Sequence, residues 1–237
     1  MDDIISKINT TDWQKTNTAM NEKGYVVVPN FLSDNQCQNL IDQYNNPVGY
    51  RKTVIMERYR FGLGEYKYFE YPLPNIVQTI REGLYPKLVP IANSWMKLLK
   101  IDKQFPNTLS EMQLACQSNK QLKPTPLILK YGKGGFNTLH QDLYGEVYFP
   151  LQAALFLNEP NVDFTGGEFV FTQQIPRAQS KAIVLNPSKG DMVIFTTNFR
   201  PIKSVKGYCR INMKHGVSEL RSGERHTLGI IFHDAVS

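Results

Sequence analysis

Cysteine is scarce in this 237-residue chain. Cys37, Cys116 and Cys209 are odd in number, far apart and never spaced as Cys-x-x-Cys. That argues against a disulfide framework and against a zinc knuckle, and it fits a reducing compartment. No apolar run approaches the length that spans a bilayer. The opening residues, Met1-Asp2-Asp3-Ile4, are acidic and start no signal-peptide apolar stretch. Together these absences predict a cytoplasmic protein with no membrane partner. Internal repeats and low-complexity linkers are missing too, so the sequence reads as a single domain spanning 1–237.

What is present is ordinary in bulk. The chain is 41% hydrophobic and 20% charged, enough for a core that needs no cross-links. A net charge of +6 mildly favours an anionic partner such as nucleic acid. Residues 1–123 read mainly as helices forming a support. Within them, 24–29 has the β-branched density of a strand ended by Pro29. Ser33 and Gln36 form a capping-box signal ahead of the stripe Cys37, Leu40, Ile41 and Tyr44. Ile76, Ile80 and Leu84 predict a second helix, broken by Pro86 and Pro90, with a third through Ile91, Trp95, Leu98 and Leu99. The aromatic and basic segment 51–71 reads as irregular.

From about residue 124 the texture changes to short strands between glycine-rich turns. The candidates are 125–131, 151–157, 168–172, 182–185, 192–195 and 227–232. Such spacing predicts a mainly β sandwich or jelly roll with a helical N-terminal buttress, an α+β composition.

The chemistry is concentrated in a few residues. His140-Gln141-Asp142 is followed far along the chain by His215-Gly216-Val217 and then by Arg225. If 140–142 is extended, His140 and Asp142 share a face and Gln141 points away. Two imidazoles and one carboxylate hold non-haem Fe(II) on one side and leave the opposite positions open. A cation shortly after the last ligand suits a dicarboxylate co-substrate. A His-x-Asp pair alone is more often structural; the addition of His215 and Arg225 tips the reading to a metal.

The strings Leu139-His140-Gln141-Asp142, Gly166-Gly167-Glu168-Phe169, Gly190-Asp191-Met192-Val193-Ile194-Phe195 and Gly223-Glu224-Arg225-His226-Thr227-Leu228 resemble the core of Fe(II)/2-oxoglutarate-dependent dioxygenases. His215-Gly216-Val217 is similar too, and the likeness covers about residues 124–235. The longer strings 139–145, 164–169 and 228–235 look like a bacterial branch described as acting oxidatively on damaged nucleic acid, to which prolyl-hydroxylase labels are also attached. The resemblance implies a double-stranded β-helix, a cupin-like jelly roll, with iron in its mouth. It implies that His140, Asp142 and His215 are the catalytic iron ligands. Arg225 would pair with the distal carboxylate of 2-oxoglutarate, where many prolyl-hydroxylase relatives carry lysine. Tyr131 stands where related demethylases place a tyrosine whose hydroxyl reaches that co-substrate; a plain core tyrosine is the alternative.

O2 and 2-oxoglutarate would then be consumed, a substrate C–H hydroxylated, and succinate and CO2 released. An alkylated nucleic-acid base is the favoured substrate, with a prolyl or other protein side chain as the second reading. A catalytically silent binding or sensing module of the same fold is the third, although such modules typically lose a ligand or the anchor. Two basic stretches bear on the substrate. Arg51, Lys52, Arg58, Arg60 and Lys67 are interleaved with Tyr50, Tyr59, Phe61, Tyr66 and Tyr68, while Arg200, Lys203, Lys206, Arg210 and Lys214 lead into His215. Cations beside aromatics are what a nucleic-acid groove requires; a solvated face with rings turned inward is the alternative. His226 and His233 read as structural or surface histidines, Glu168 as structural or supporting the site rather than a general base, and Gly62-Leu63-Gly64-Glu65 as no phosphate loop.

Overall fold

Two strands set the architecture: Leu151–Phe156 and Met192–Thr196 are buried at every position. A strand buried on both faces needs cover on each side. The computed structural model describes residues 2–237 and supplies that cover from two directions. Five helices are α1 (Asp2–Thr10), α2 (Trp13–Lys23), α3 (Asp34–Tyr44), α4 (Asn75–Leu98) and α5 (Leu109–Ser118). The first strands are β1 (Tyr25–Val28), β2 (Tyr50–Ile55), β3 (Gly62–Leu63), β4 (Glu65–Phe69), β5 (Leu127–Tyr131) and β6 (Phe136–His140). Then come β7 (Leu151–Phe156), β8 (Phe164–Gly166), β9 (Phe169–Gln174), β10 (Lys181–Leu185) and β11 (Met192–Thr196). The last are β12 (Phe199–Ser204), β13 (Gly207–Val217), β14 (Leu220–Gly223) and β15 (Arg225–Ile230). Among the described residues no helix is long and apolar enough to cross a membrane.

The larger sheet runs β1-β11-β7-β15-β5-β4-β2 and the smaller β10-β9-β13-β6-β3, with β12 attached to β13. Side chains alternate along β7, so Ala154 and Phe156 face the smaller sheet while Ala153 and Leu155 face the helices. Between the sheets Phe169 meets Phe156 at 5.5 Å and Phe195 at 5.2 Å, ring centre to ring centre. On the other side Leu155, Ile194 and Leu228 share one core with Ile80, Leu84 and Leu88 of α4. Two facing antiparallel sheets wound in this order form the double-stranded β-helix, and the capping box at Ser33 starts α3 as its spacing predicts.

Two segments depart from the sequence pattern. The stripe broken at Pro86 and Pro90 predicts two helices, but α4 is one helix containing both prolines. It buries Leu84, Tyr85, Leu88, Val89, Ile91 and Trp95. At about 1.5–3 kcal/mol for each large apolar side chain buried, these outweigh two interior prolines at about 3 kcal/mol each. The segment 51–71, irregular by composition, instead forms β2, β3 and β4 around a 3-10 turn at Met56–Tyr59. Its tyrosines and β-branched residues suit strands, and β4 joins the larger sheet by pairing with β5.

The chain's end is fastened by a buried ion pair. Arg81 of α4 donates to Asp234 at 2.7 Å and to the Ile231 carbonyl oxygen at 2.9 Å. His226 and His233 are buried and structural, not at the surface: His233 Nδ1 accepts from the Phe149 N–H at 3.1 Å, and His226 meets the Tyr44 ring edge-on. Burial pushes His226 down to about 4 and His233 to about 3. In the unfolded chain both titrate near the ordinary 6.5 or so. As pH falls below that value the unfolded chain takes up protons first, so folded-state stability drops by about 1.4 kcal/mol per pH unit for each imidazole. The loss continues until the folded values are passed, and nothing is lost above neutrality. Urea unfolding of the wild type and His226→Gln between pH 7 and 4 is expected to show a shallower acid slope in the variant. Identical slopes would mean that His226 does not titrate as its burial demands.

Candidate metal centre

Strand pairing brings the sequence-distant histidines together. β13 lies between β6 and β9, with His215 opposite His140 on one side and Phe171 on the other. Next along, Val217 faces Asn137, so β6 carries a bulge that re-aims its last residues. β6 ends at His140, and Asp142 follows just outside the strand. The intervening Gln141 is turned away: its amide donates to the Asn198 carbonyl oxygen at 3.0 Å and the Met213 carbonyl oxygen at 2.8 Å.

His140 Nε2 lies 3.4 Å from Asp142 Oδ1, and His215 Nε2 lies 3.3 Å from Asp142 Oδ2. One ligand atom from each of the three residues falls within 4.8 Å of the others. The His140 Nδ1–H points to the Thr138 carbonyl oxygen at 2.7 Å, which leaves the Nε2 lone pair aimed inward as a metal ligand needs. Each carboxylate oxygen of Asp142 also has its own donor. Tyr144 donates to Oδ1 at 2.8 Å, and Gln152, buried near the start of β7, donates to Oδ2 at 2.8 Å. Burial alone would raise the Asp142 carboxyl, but the neighbouring His140 and His215 hold it well below the usual carboxylate range. Burial and His140 together lower His215. A carboxylate between one neutral imidazole and a second aimed at it is a donor set that fits a divalent cation such as Fe(II).

Arg225 opens β15 directly across from Tyr131 at the end of β5. Arg225 is 2% exposed, and both terminal nitrogens lack a hydrogen-bond partner among the described residues. Three rings surround the guanidinium: Phe156 at 5.1 Å, Tyr131 at 5.7 Å and Phe164 at 6.0 Å from centroid. Burial lowers its pKa to about 10, so it remains a cation at neutral pH. An uncompensated buried charge costs several kcal/mol, which points to an anion supplied from outside the chain. Tyr131 is fully buried, and its hydroxyl accepts from Asn137 at 3.3 Å. Arg225, Tyr131, His140, Asp142 and His215 all line one cavity of about 230 Å³, otherwise walled largely by apolar side chains.

The other sequence candidates divide. Glu168 is held by the Ser218 hydroxyl, joining the start of β9 to the turn after β13, and no base role follows. Arg51 Nε donates to the Pro124 carbonyl oxygen and Lys67 to that of Tyr44, so both are tied to backbone around the β2–β4 region. Arg200 is buried, and Arg210 and Lys214 alternate with buried Ile211, Met213 and His215. They therefore occupy the outer face of β13, turned from the cavity. Tyr144 and Gln152 were not singled out by sequence, because nothing local marks a tyrosine or glutamine as the partner of a distant carboxylate.

Comparisons with known proteins bear on the family and the fold. Residues 64–235 match the family model Oxygenase-NA, described as "Oxygenase, catalysing oxidative methylation of damaged DNA". An uncharacterised protein of Mycobacterium tuberculosis (strain ATCC 25618 / H37Rv) is 42% identical over 167 residues, covering 70% of this chain and 72% of that protein. Among solved structures, a Pseudomonas putida prolyl-4-hydroxylase superposes with a TM-score of 0.56 at 14% identity, covering 94% of this chain and 98% of that one. An oxidoreductase of the 2OG-Fe(II) oxygenase family from Burkholderia pseudomallei does so at 0.53 and 13%, covering 96% and 94%. At such identities the structural matches establish a shared fold, whereas the family model extends over most of the chain: this protein belongs to the Oxygenase-NA family of oxygenases.

Proposed function

We propose that this oxygenase uses Fe(II), O2 and 2-oxoglutarate to oxidise an N-alkyl carbon on a damaged nucleic-acid base, in the cytoplasm and as one functional unit. The observation that carries the co-substrate is Arg225, a buried guanidinium without a protein anion in the same cavity as two histidines and an aspartate. The family description supports the substrate. His140, Asp142 and His215 would hold the iron, and Arg225 would pair with the distal carboxylate of 2-oxoglutarate. Tyr131, beside it, narrows that end of the cavity and offers its hydroxyl to the same carboxylate. When bound, iron and 2-oxoglutarate supply oxidation of a substrate C–H with release of succinate and CO2.

The chain's own residues do the positioning. Tyr144 and Gln152 fix both oxygens of Asp142, so the carboxylate cannot rotate away from the imidazoles. Thr138 fixes the tautomer of His140. Phe169 and Phe195, packed against His215, keep water from that side of the centre. Hydroxylation of an N-methyl carbon gives a carbinolamine; its C–N bond then breaks, the nitrogen takes the hydroxyl proton, and the carbon leaves as formaldehyde.

Three outcomes follow. Succinate formation by iron-loaded protein is expected to rise with methylated oligonucleotides and not with proline-containing peptides; stimulation by peptides alone would move the substrate to protein. His140→Ala, Asp142→Ala or His215→Ala is expected to abolish 2-oxoglutarate turnover, while Tyr144→Phe and Gln152→Leu weaken iron binding about 10- to 100-fold, as read by metal titration. Arg225→Met is expected to raise the melting temperature of the ligand-free protein by removing an unpaired buried charge. It should also erase the rise that 2-oxoglutarate gives the wild type.

A further inference from the structure

The loop between β2 and β4, residues 56–64, is closed on itself and rigidly held. The Met56 N–H donates to the Gly64 carbonyl oxygen at 3.0 Å, and the Phe61 N–H to that of Met56 at 3.1 Å. The Phe61 carbonyl oxygen in turn accepts from both the backbone N–H and the hydroxyl of Thr138. Thr138 is the residue whose own carbonyl fixes His140. Gly62 sits opposite Asn137 with φ at 143°, and a Cβ there would collide with the Phe136 carbonyl oxygen. The loop therefore docks tightly on the strand that carries the first metal-site histidine.

This rigid loop presents aromatic rings to solvent. Tyr59 is 53% and Phe61 44% exposed, and their rings stack at 5.5 Å with planes only 18° apart. Phe61 lines the mouth of the cavity, whereas Tyr59 does not, so Tyr59 backs Phe61 from the outside. Arg58 and Arg60 alternate with the two rings along the chain and are exposed. Large rings left in water on an immobilised loop, beside a catalytic cavity, mark a binding surface. Cations alternating with those rings select a polyanion with flat faces rather than a neutral peptide.

We propose that residues 58–61 form a stacking platform for single-stranded nucleic acid: Phe61, supported by Tyr59, receives a base at the cavity mouth while Arg58 and Arg60 meet the adjoining phosphates. The platform precedes residue 64, where the family match begins, and the inference rests on the nucleic-acid reading given above. Stacking on an exposed ring is tolerant of base identity, so the platform selects strandedness and not sequence. Placing a neighbouring base on Phe61 orients the strand with the next nucleotide directed inward.

The test is fluorescence anisotropy of the full chain with a labelled single-stranded oligonucleotide across a salt series. Phe61→Ala is expected to weaken binding about 5- to 100-fold, and Phe61→Trp to retain it. The double variant Arg58→Ala with Arg60→Ala is expected to lower the slope of log affinity against log salt by roughly 0.7 per charge removed. Wild-type binding that is unchanged in Phe61→Ala would overturn the platform and leave the nucleic-acid reading standing. Absence of oligonucleotide binding by the wild type, with capture of a proline-rich peptide that Phe61→Ala abolishes, would overturn both.

Discussion

The register of β13 decides whether this protein has a metal centre. His215 sits opposite His140 on one edge and Phe171 on the other. Because side chains alternate, a slip of one residue would carry His215 to the solvent face and bring Lys214 inside. The hydrophobic pattern forbids that slip: Ile211, Met213 and Val217 would leave the core together with the histidine. At about 1.5–3 kcal/mol for each such side chain, the apolar packing between the sheets holds the metal ligands in place far more firmly than the ligands hold one another.

The same interior carries groups that the fold itself does not satisfy. Among the described residues Arg225 is enclosed by three rings with no ion pair or hydrogen bond at its terminal nitrogens, and His215 Nδ1 has no partner. Arg81, equally buried, has Asp234, Tyr71 and the Ile231 carbonyl oxygen around it. The contrast separates two uses of a buried guanidinium. One closes the C-terminal end of the chain and is complete; the other faces a cavity and is complete only with an added anion. Stability spent at Arg225 becomes binding energy when that anion arrives.

How far the sequence reveals this depends on the range of the interaction. Strands such as β7 and β11 were legible because both faces are apolar, and α3 because Ser33 and Gln36 sit at a fixed local spacing. The same spacing at Thr108 and Glu111 starts α5 and is equally readable. α4 misleads because two prolines give a strong local signal that tertiary burial overrides. The β2–β4 segment misleads because its strand character is carried by tyrosines among charges and needs β5 as a partner. At the site, His140, Asp142, His215 and Arg225 stand out by type and order. Tyr144, Gln152 and Thr138 do not, since their roles exist only once β6, β7 and β13 are assembled. The exposure that separates Tyr59 and Phe61 from Tyr66 and Tyr68 is likewise invisible before folding.

The loop 56–64 returns to its starting point, with Met56 and Gly64 joined by a backbone hydrogen bond. Closed loops tolerate changes in length at little cost, because the chain enters and leaves at the same place whatever lies between. Descendants of this sequence can therefore exchange residues 57–60 for others while Phe61 and Gly62 keep their backbone contacts to β6. Selection can thus act on what is recognised while the oxidising machinery stays as inherited.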